Sequence, residues 1–165
     1  MKILKLIAIV SITTGATAVF PHNNSAHSSA PVDKVQTAWG IAGDAKAVNR
    51  TITVTMTDQM RFIPAELQIR AGETVKLVVR NAGKGLHELV IGTKAELDAH
   101  AALMVKFPDM EHSEPYMAHV NPGKTAQLIW TFNRAGDFDF ACLVAGHYAA
   151  GMVGKVKVVA AAIGK

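Results

Sequence analysis

Phe138-Asp139-Phe140-Ala141-Cys142-Leu143-Val144-Ala145-Gly146-His147-Tyr148-Ala149-Ala150-Gly151-Met152-Val153 is the stretch on which the fold is decided. Residues 138–143 carry two aromatics in a mostly apolar run and read as a strand. Val153 opens a second β-branched run that extends to about Ala160. Between them lies one loop that carries Cys142, His147 and Met152 in the spacing C-x4-H-x4-M. A sheet can hold such a loop rigidly at one end, while further side chains arrive from other turns.

The pattern repeats upstream. Thr51-Ile52-Thr53-Val54-Thr55-Met56-Thr57 alternates and is rich in β-branched residues, so it predicts a strand. Leu67-Gln68-Ile69-Arg70 predicts another, closed by the turn Ala71-Gly72-Glu73. A third runs from Thr74 to Asn81 and ends at Ala82-Gly83-Lys84-Gly85. A fourth, from Leu86 to Ile91, carries His87. Thr93 and Glu96 then stand in the spacing of a capping box, and Leu97, Ala101 and Met104 follow at i, i+4, i+7. This is one helix, stopped at Phe107-Pro108. Residues 108–123 hold three prolines and read as an irregular connection. Strands resume over 124–132, with Asn133-Arg134-Ala135-Gly136 as the turn into 138–143. The expected fold is all-β, a Greek-key β-sandwich of about seven or eight strands with one short inserted helix, spanning 51–165.

The remaining residues read differently. Lys2 and Lys5 precede the apolar run Leu6-Ile7-Ala8-Ile9-Val10, and Ala16-Thr17-Ala18 has the small-x-small form of a signal-peptidase site. Residues 1–18 are therefore expected to be a signal peptide cleaved near Ala18. That implies an exported, periplasmic protein with no stable membrane insertion after cleavage. Residues 19–50 are rich in Ala, Ser, Asn, His and Gly without a sustained period, and are expected to form a flexible leader onto which Trp39 begins to dock. The chain has 17 Lys and Arg against 13 Asp and Glu; without residues 1–18 the count is 15 against 13. The basic balance thus owes much to the expected signal peptide. No basic stripe with interleaved aromatics occurs, which argues against nucleic acid as a partner.

The single cysteine of an exported chain has no disulfide partner. Taken alone, Cys142 reads equally as a small buried hydrophobe, His147 as a surface residue and Met152 as core. Together they supply a thiolate, an imidazole and a thioether on one loop, the donors of a copper electron-transfer site that lacks only a second imidazole. His87, just after the Gly83/Gly85 turn, is the natural candidate. Zinc is the nearest rival, but structural zinc takes four Cys or His ligands.

These residues resemble the cupredoxins, the blue-copper family that includes plastocyanin, azurin and auracyanin. The resemblance covers about 51–160 and rests on Asn81-Ala82-Gly83 ahead of His87, on Ala135-Gly136-Asp137-Phe138-Asp139-Phe140 before Cys142, and on the loop through Met152-Val153-Gly154. It implies one type 1 copper centre, with His87, Cys142 and His147 equatorial and Met152 axial, cycling between Cu(I) and Cu(II). Many relatives have Asn after the first histidine, where this chain has Glu88. Several have Pro within the cysteine loop, where it has Val144-Ala145. His87-Glu88-Leu89-Val90-Ile91-Gly92, Glu96-Leu97, Met110-Glu111-His112, Pro115-Tyr116 and Gly146-His147-Tyr148 are further similar to periplasmic bacterial cupredoxins linked to copper tolerance.

His100, Met104, Met110, His112, Met117 and His119 lie close together in sequence and suit Cu(I), so a second, exchangeable copper site at Met104, Met110, His112, Met117 and His119 is a further expectation. Core packing of Met104 is the plain alternative. His22 with His27, and Met56 with Met60, are weaker candidates for loose capture. The residues Leu143, Val144, Ala145, Ala149 and Ala150 around His147 form a candidate apolar rim where a redox partner would dock. The expected role is copper binding with one-electron redox in copper tolerance. The alternative is a soluble electron carrier between respiratory or photosynthetic complexes. Catalysis is not expected, with weak oxidation of Cu(I) left open: no H-x-H pair occurs, and a second copper domain has no room.

Overall fold

Alternation explains which strands form and how they face. Val54 and Met56, then Val75, Leu77 and Val79, then Leu128, Trp130 and Phe132 are buried at every second position, and the residues between them are more exposed. In the computed structural model, which describes residues 34–108, 110 and 112–161, these runs form β2 (Arg50–Thr57), β5 (Glu73–Asn81) and β8 (Thr125–Phe132). With β1 (Ile41–Ala42) and β3 (Arg61–Ile63) they build one sheet in the order β1-β8-β5-β2-β3. The second sheet holds β4 (Glu66–Arg70), β6 (His87–Gly92), β7 (Met117–Val120), β9 (Gly136–Ala141) and β10 (Val153–Val159) in the order β4-β10-β9-β6-β7. Pairing is antiparallel except for β2 with β5 and β4 with β10.

The two inner faces close over Trp130, Phe132, Phe140, Leu77, Leu89 and Ile91, all essentially inaccessible. Burying side chains of this size is worth about 1.5–3 kcal/mol each. Phe62 from β3 meets Phe140 from β9 edge to face, with ring centroids 4.9 Å apart. Strand β6 is buried along its whole length because both of its faces are covered. Leu89 and Ile91 face the sandwich core, while Val90 lies under helix α1 (Lys94–Lys106) with Leu97 and Met104. Thr93 caps the helix, its Oγ1 accepting the Glu96 N–H at 3.3 Å while Glu96 accepts the Thr93 N–H at 3.2 Å. The sandwich and the single capped helix are as the sequence leads one to expect.

Two expectations change. Ten strands form among the described residues, because β1, β3 and β7 are two, three and four residues long, too short to show a period. β7 converts part of the proline-punctuated stretch into an edge strand. The leader expected over 19–50 does not reach Arg50: Trp39 is 5% exposed, β1 pairs Ile41 with Thr131, and a 3₁₀ turn follows at Ala45–Ala47. Trp39 is fixed because its carbonyl accepts the Trp130 Nε1–H and its ring meets Tyr116 edge to face. The expected signal at 1–18, and His22 and His27, lie outside the described residues. Met56 is wholly buried in the core and Met60 is partly buried against that core. Among the described residues, no helix is long and apolar enough to cross a membrane.

Candidate metal centre

The centre forms where β6 and β9 part at one end of the second sheet. These strands pair Val90 with Ala141, so the next residue after β9, Cys142, comes level with the start of β6. Cys142 is fully buried and unpaired. Its Sγ accepts the Glu88 N–H at 3.3 Å, and lies 3.3 Å from His147 Nδ1 and 3.9 Å from His87 Nδ1. The donor atoms of His87, Cys142 and His147 all fall within 4.8 Å of one another, and they are the only three among the described His, Cys, Asp and Glu residues to do so. The two imidazole centroids are 4.8 Å apart, inclined by 45°.

The loop closes on itself. The Cys142 N–H donates to the Met152 carbonyl and the Met152 N–H to the His147 carbonyl, each at 3.1 Å. Gly151 turns the chain into Met152 at φ 84°, a conformation in which a side chain would be strained. Met152 is fully buried beside the centre's own loop, as a member of the sandwich core. His147 is half-buried, and Ala145, Ala149 and Ala150 around it are exposed or partly so. Leu143 is not part of that rim: it points under α1 and is 1% exposed.

Residues outside the loop hold the imidazole and thiol in place. Asp58, in the turn after β2, accepts the backbone N–H of Lys84 at 2.8 Å and contacts His87 Nε2 at 3.2 Å through Oδ1. This leaves His87 Nδ1 to face Cys142. The Lys84 N–H and then the His87 ring hold the Asp58 carboxyl below its usual range. Buried Asn81 braces the same turn, donating to the carbonyls of Gly85 and Val120 and accepting the Gly83 N–H, all at 2.8 Å. Gly83 is required by close approach, since a Cβ there would stand 2.0 Å from Asp58 Oδ1. Burial pushes the Cys142 thiol up to about 12, against the N–H groups of Glu88 and Val144. Desolvation, then the neighbouring His87, lowers His147 and keeps its ring neutral. A soft sulfur, two imidazoles and a nearby thioether fit copper and fit zinc poorly.

Glu88 occupies the other face of β6. Its buried carboxylate accepts the Leu143 N–H at 2.8 Å through Oε1. Oε2 stands 2.6 Å from Nε2 of His119, directly opposite on β7, in ion-pair contact outside hydrogen-bond alignment. That pairing raises His119 above the usual imidazole value. Beyond it opens a cleft of about 880 Å³, lined in part by Glu88, Met104, Met110, His112 and His119, with Val144 and Ala145 of the cysteine loop on its wall. His112 Nε2 lies 2.7 Å from His100 Nε2 and 3.3 Å from Met104 Sδ, and the His112 and His119 rings are 5.6 Å apart. The structure therefore groups Met104, Met110, His112 and His119, adds His100, and leaves out Met117, which packs with Val90 and Leu97 and does not line the cleft as Met104 does. These donors do not converge on one point as the first three do.

Sequence reasoning passed over Asp58, which stands alone in a turn far from His87 in the chain, with no local pattern to mark it. It noted Glu88 only as a departure. The reach of Glu88 to Leu143 and His119 depends on a strand, β7, that the sequence does not announce.

The sequence profile of the copper-binding proteins of the plastocyanin/azurin family matches residues 48–159. The copper-resistant cuproprotein CopI of Rubrivivax gelatinosus is 45% identical over 156 residues, covering 94% of each chain. Its namesake in Pseudomonas aeruginosa is 34% identical, covering 73% of this chain and 82% of that one. Among solved structures, auracyanin B is similar with a TM-score of 0.59 at 19% identity, covering 73% of this chain and 94% of its own. The reduced auracyanin of Roseiflexus castenholzii gives 0.58 at 19%, covering 68% and 98%. At that identity the auracyanins speak to the fold alone.

Proposed function

This chain belongs to the plastocyanin/azurin family of copper-binding proteins, and from that premise we propose a periplasmic copper protein that serves copper tolerance through His87, Cys142, His147 and Met152. The observation that carries the ligand assignment is the convergence of one thiol and two imidazole nitrogens within 4.8 Å at the end of the sandwich. Met152 would join them as a further donor, on the strength of its spacing and its burial on the same loop. When bound, copper supplies one-electron exchange between Cu(I) and Cu(II). The chain's own residues hold the ligands: Asp58 fixes the His87 ring and the Glu88 N–H meets the Cys142 sulfur. Copper tolerance is supported by the copper-resistant cuproproteins among the relatives, and the periplasm by the signal-like first eighteen residues.

The role is binding and redox handling rather than catalysis. The accessible Ala145, Ala149 and Ala150 around half-buried His147 support brief docking of a redox partner there. A second, exchangeable copper site is proposed in the neighbouring cleft, at His112, Met104 and His119 with Met110 and His100, because His112 already meets both a thioether and an imidazole.

The test of the ligand set is reconstitution of the purified protein with Cu(II). Intense thiolate-to-copper absorption in the visible is expected, and Cys142→Ser abolishes it with the fold retained. Full copper occupancy without that band refutes the assignment. Gene deletion tests the role: copper sensitivity with normal respiration supports tolerance, and the reverse supports electron transport. Copper stoichiometry after dialysis, unchanged when Met104 and His112 are replaced, would end the second site.

A further inference from the structure

We infer that Glu88 is a positioning residue that ties the copper-binding loop to the His119 cleft, so that whatever His119 contacts is felt at Cys142. The inference rests on the ligand assignment above and goes beyond it. Bracing of the cysteine loop from the residue after His87 is one half of the arrangement. The link outward to His119 is the other, and it belongs to a carboxylate.

Alternation along β6 sends His87 toward the metal and Glu88 to the opposite face. One residue therefore makes three contacts. Its N–H meets Cys142 Sγ at 3.3 Å, Oε1 holds the Leu143 N–H at 2.8 Å, and Oε2 meets His119 Nε2 at 2.6 Å. The Glu88 side chain is wholly buried, whereas that of His119 is 38% exposed. His119 is thus the one of the two that solutes can reach, and the antiparallel register fixes it opposite Glu88. A buried carboxylate is costly to leave without partners, so it cannot drift when one is lost. Without His119 the Glu88 carboxyl is left with the Leu143 N–H as its one partner, one residue from the copper-binding sulfur. The surroundings are of low polarity, where charge is poorly screened. A change in what holds that carboxyl changes the field and the hydrogen bonding at the sulfur, and with them the balance of Cu(II) and Cu(I). Since His112 lies against His119 in the cleft, a ligand taken there reaches the copper loop through the same two side chains.

A double-mutant cycle tests the link. The midpoint potential and the visible thiolate band are measured for the copper-loaded protein, for H119N, for E88Q and for the double variant. The amide introduced by E88Q keeps an acceptor for the Leu143 N–H and removes the charge. The expected result is that H119N shifts the potential and moves the band when Glu88 is present, and moves neither in the E88Q background. Equal shifts in both backgrounds, or no shift in either, overturn the inference while leaving the copper ligands standing. Should E88Q fail to load copper, E88N supplies the same cycle. Absence of the band from the unsubstituted protein refutes the ligand assignment, and the role of Glu88 falls with it.

Discussion

Gly83→Ala places one methyl group where the structure has no room for it, and its effect should fall on metal binding more than on folding. A Cβ at this position stands 2.0 Å from Asp58 Oδ1 and 3.1 Å from His87 Nε2, whereas ordinary contact begins at 3.4 Å. The carboxylate must retreat by about 1.4 Å to restore contact distance. His87 Nε2 is 3.2 Å from that oxygen at the start, so such a movement takes the pair out of hydrogen-bond reach. Asp58 is at the surface and can swing into solvent, which spares the core. The imidazole loses the partner that sets its orientation, and partners of this kind are worth about 10–100-fold in metal affinity. Copper affinity should fall by about that factor in competition with a chromophoric chelator, while the denaturation midpoint of the metal-free protein moves little. Asp58→Ala should cause a similar loss, and adding Gly83→Ala to it should cost almost nothing more. Unchanged affinity in Gly83→Ala, or an equal further loss when it is added to Asp58→Ala, would refute the role given to Asp58.

Three more outcomes are expected. Copper affinity should rise about tenfold per pH unit between about pH 7 and 9: the Cys142 thiol, at about 12, must give up its proton on binding, and His147, lowered below its ordinary value, has none to give. A flat profile, after correction for the competing chelator, would contradict this. Thr93→Ala removes the hydroxyl that accepts the Glu96 N–H and should lower stability by about 1 kcal/mol in chemical denaturation, with copper binding intact. A chain shortened to begin at Thr51 loses Trp39, 5% exposed, and should unfold more easily by about 3–5 kcal/mol; an unchanged midpoint would return residues 34–50 to the status of a leader.

The parts of this molecule that could be read from its sequence are those whose signal is local. Cys142, His147 and Met152 share one loop, so their spacing and donor chemistry stand side by side. The Thr93–Glu96 cap sits within one helical turn, and β2, β5 and β8 are long enough to alternate visibly. Asp58 carries no such mark, because its tie to His87 is made across two turns from different parts of the chain. Met117 and His119 look alike as candidate donors, and both face the helix side of β7. Only the register shows that Met117 lies opposite Val90, under the helix, while His119 lies opposite Glu88, at the cleft. Trp39 was legible as a docking residue, but β1 is two residues long and gives no period to detect.

The parallel pairing of β4 with β10 sets an order of events. Glu66 lies beside Lys155 and Arg70 beside Val159, so a segment that ends at Arg70 waits for one that begins only at Val153 before the second sheet has its edge. Val153, the first residue of β10, follows directly on Met152 and pairs with Ala141, which directly precedes Cys142. The step that completes the sheet is therefore the step that draws the two ends of the copper loop together. Before that step Cys142, His147 and His87 stand as separate groups, and the pocket between their donor atoms comes into being only with the finished sandwich wall. Copper met earlier would find scattered ligands and no cage, which delays capture to the moment at which the fold can also enclose what it has caught.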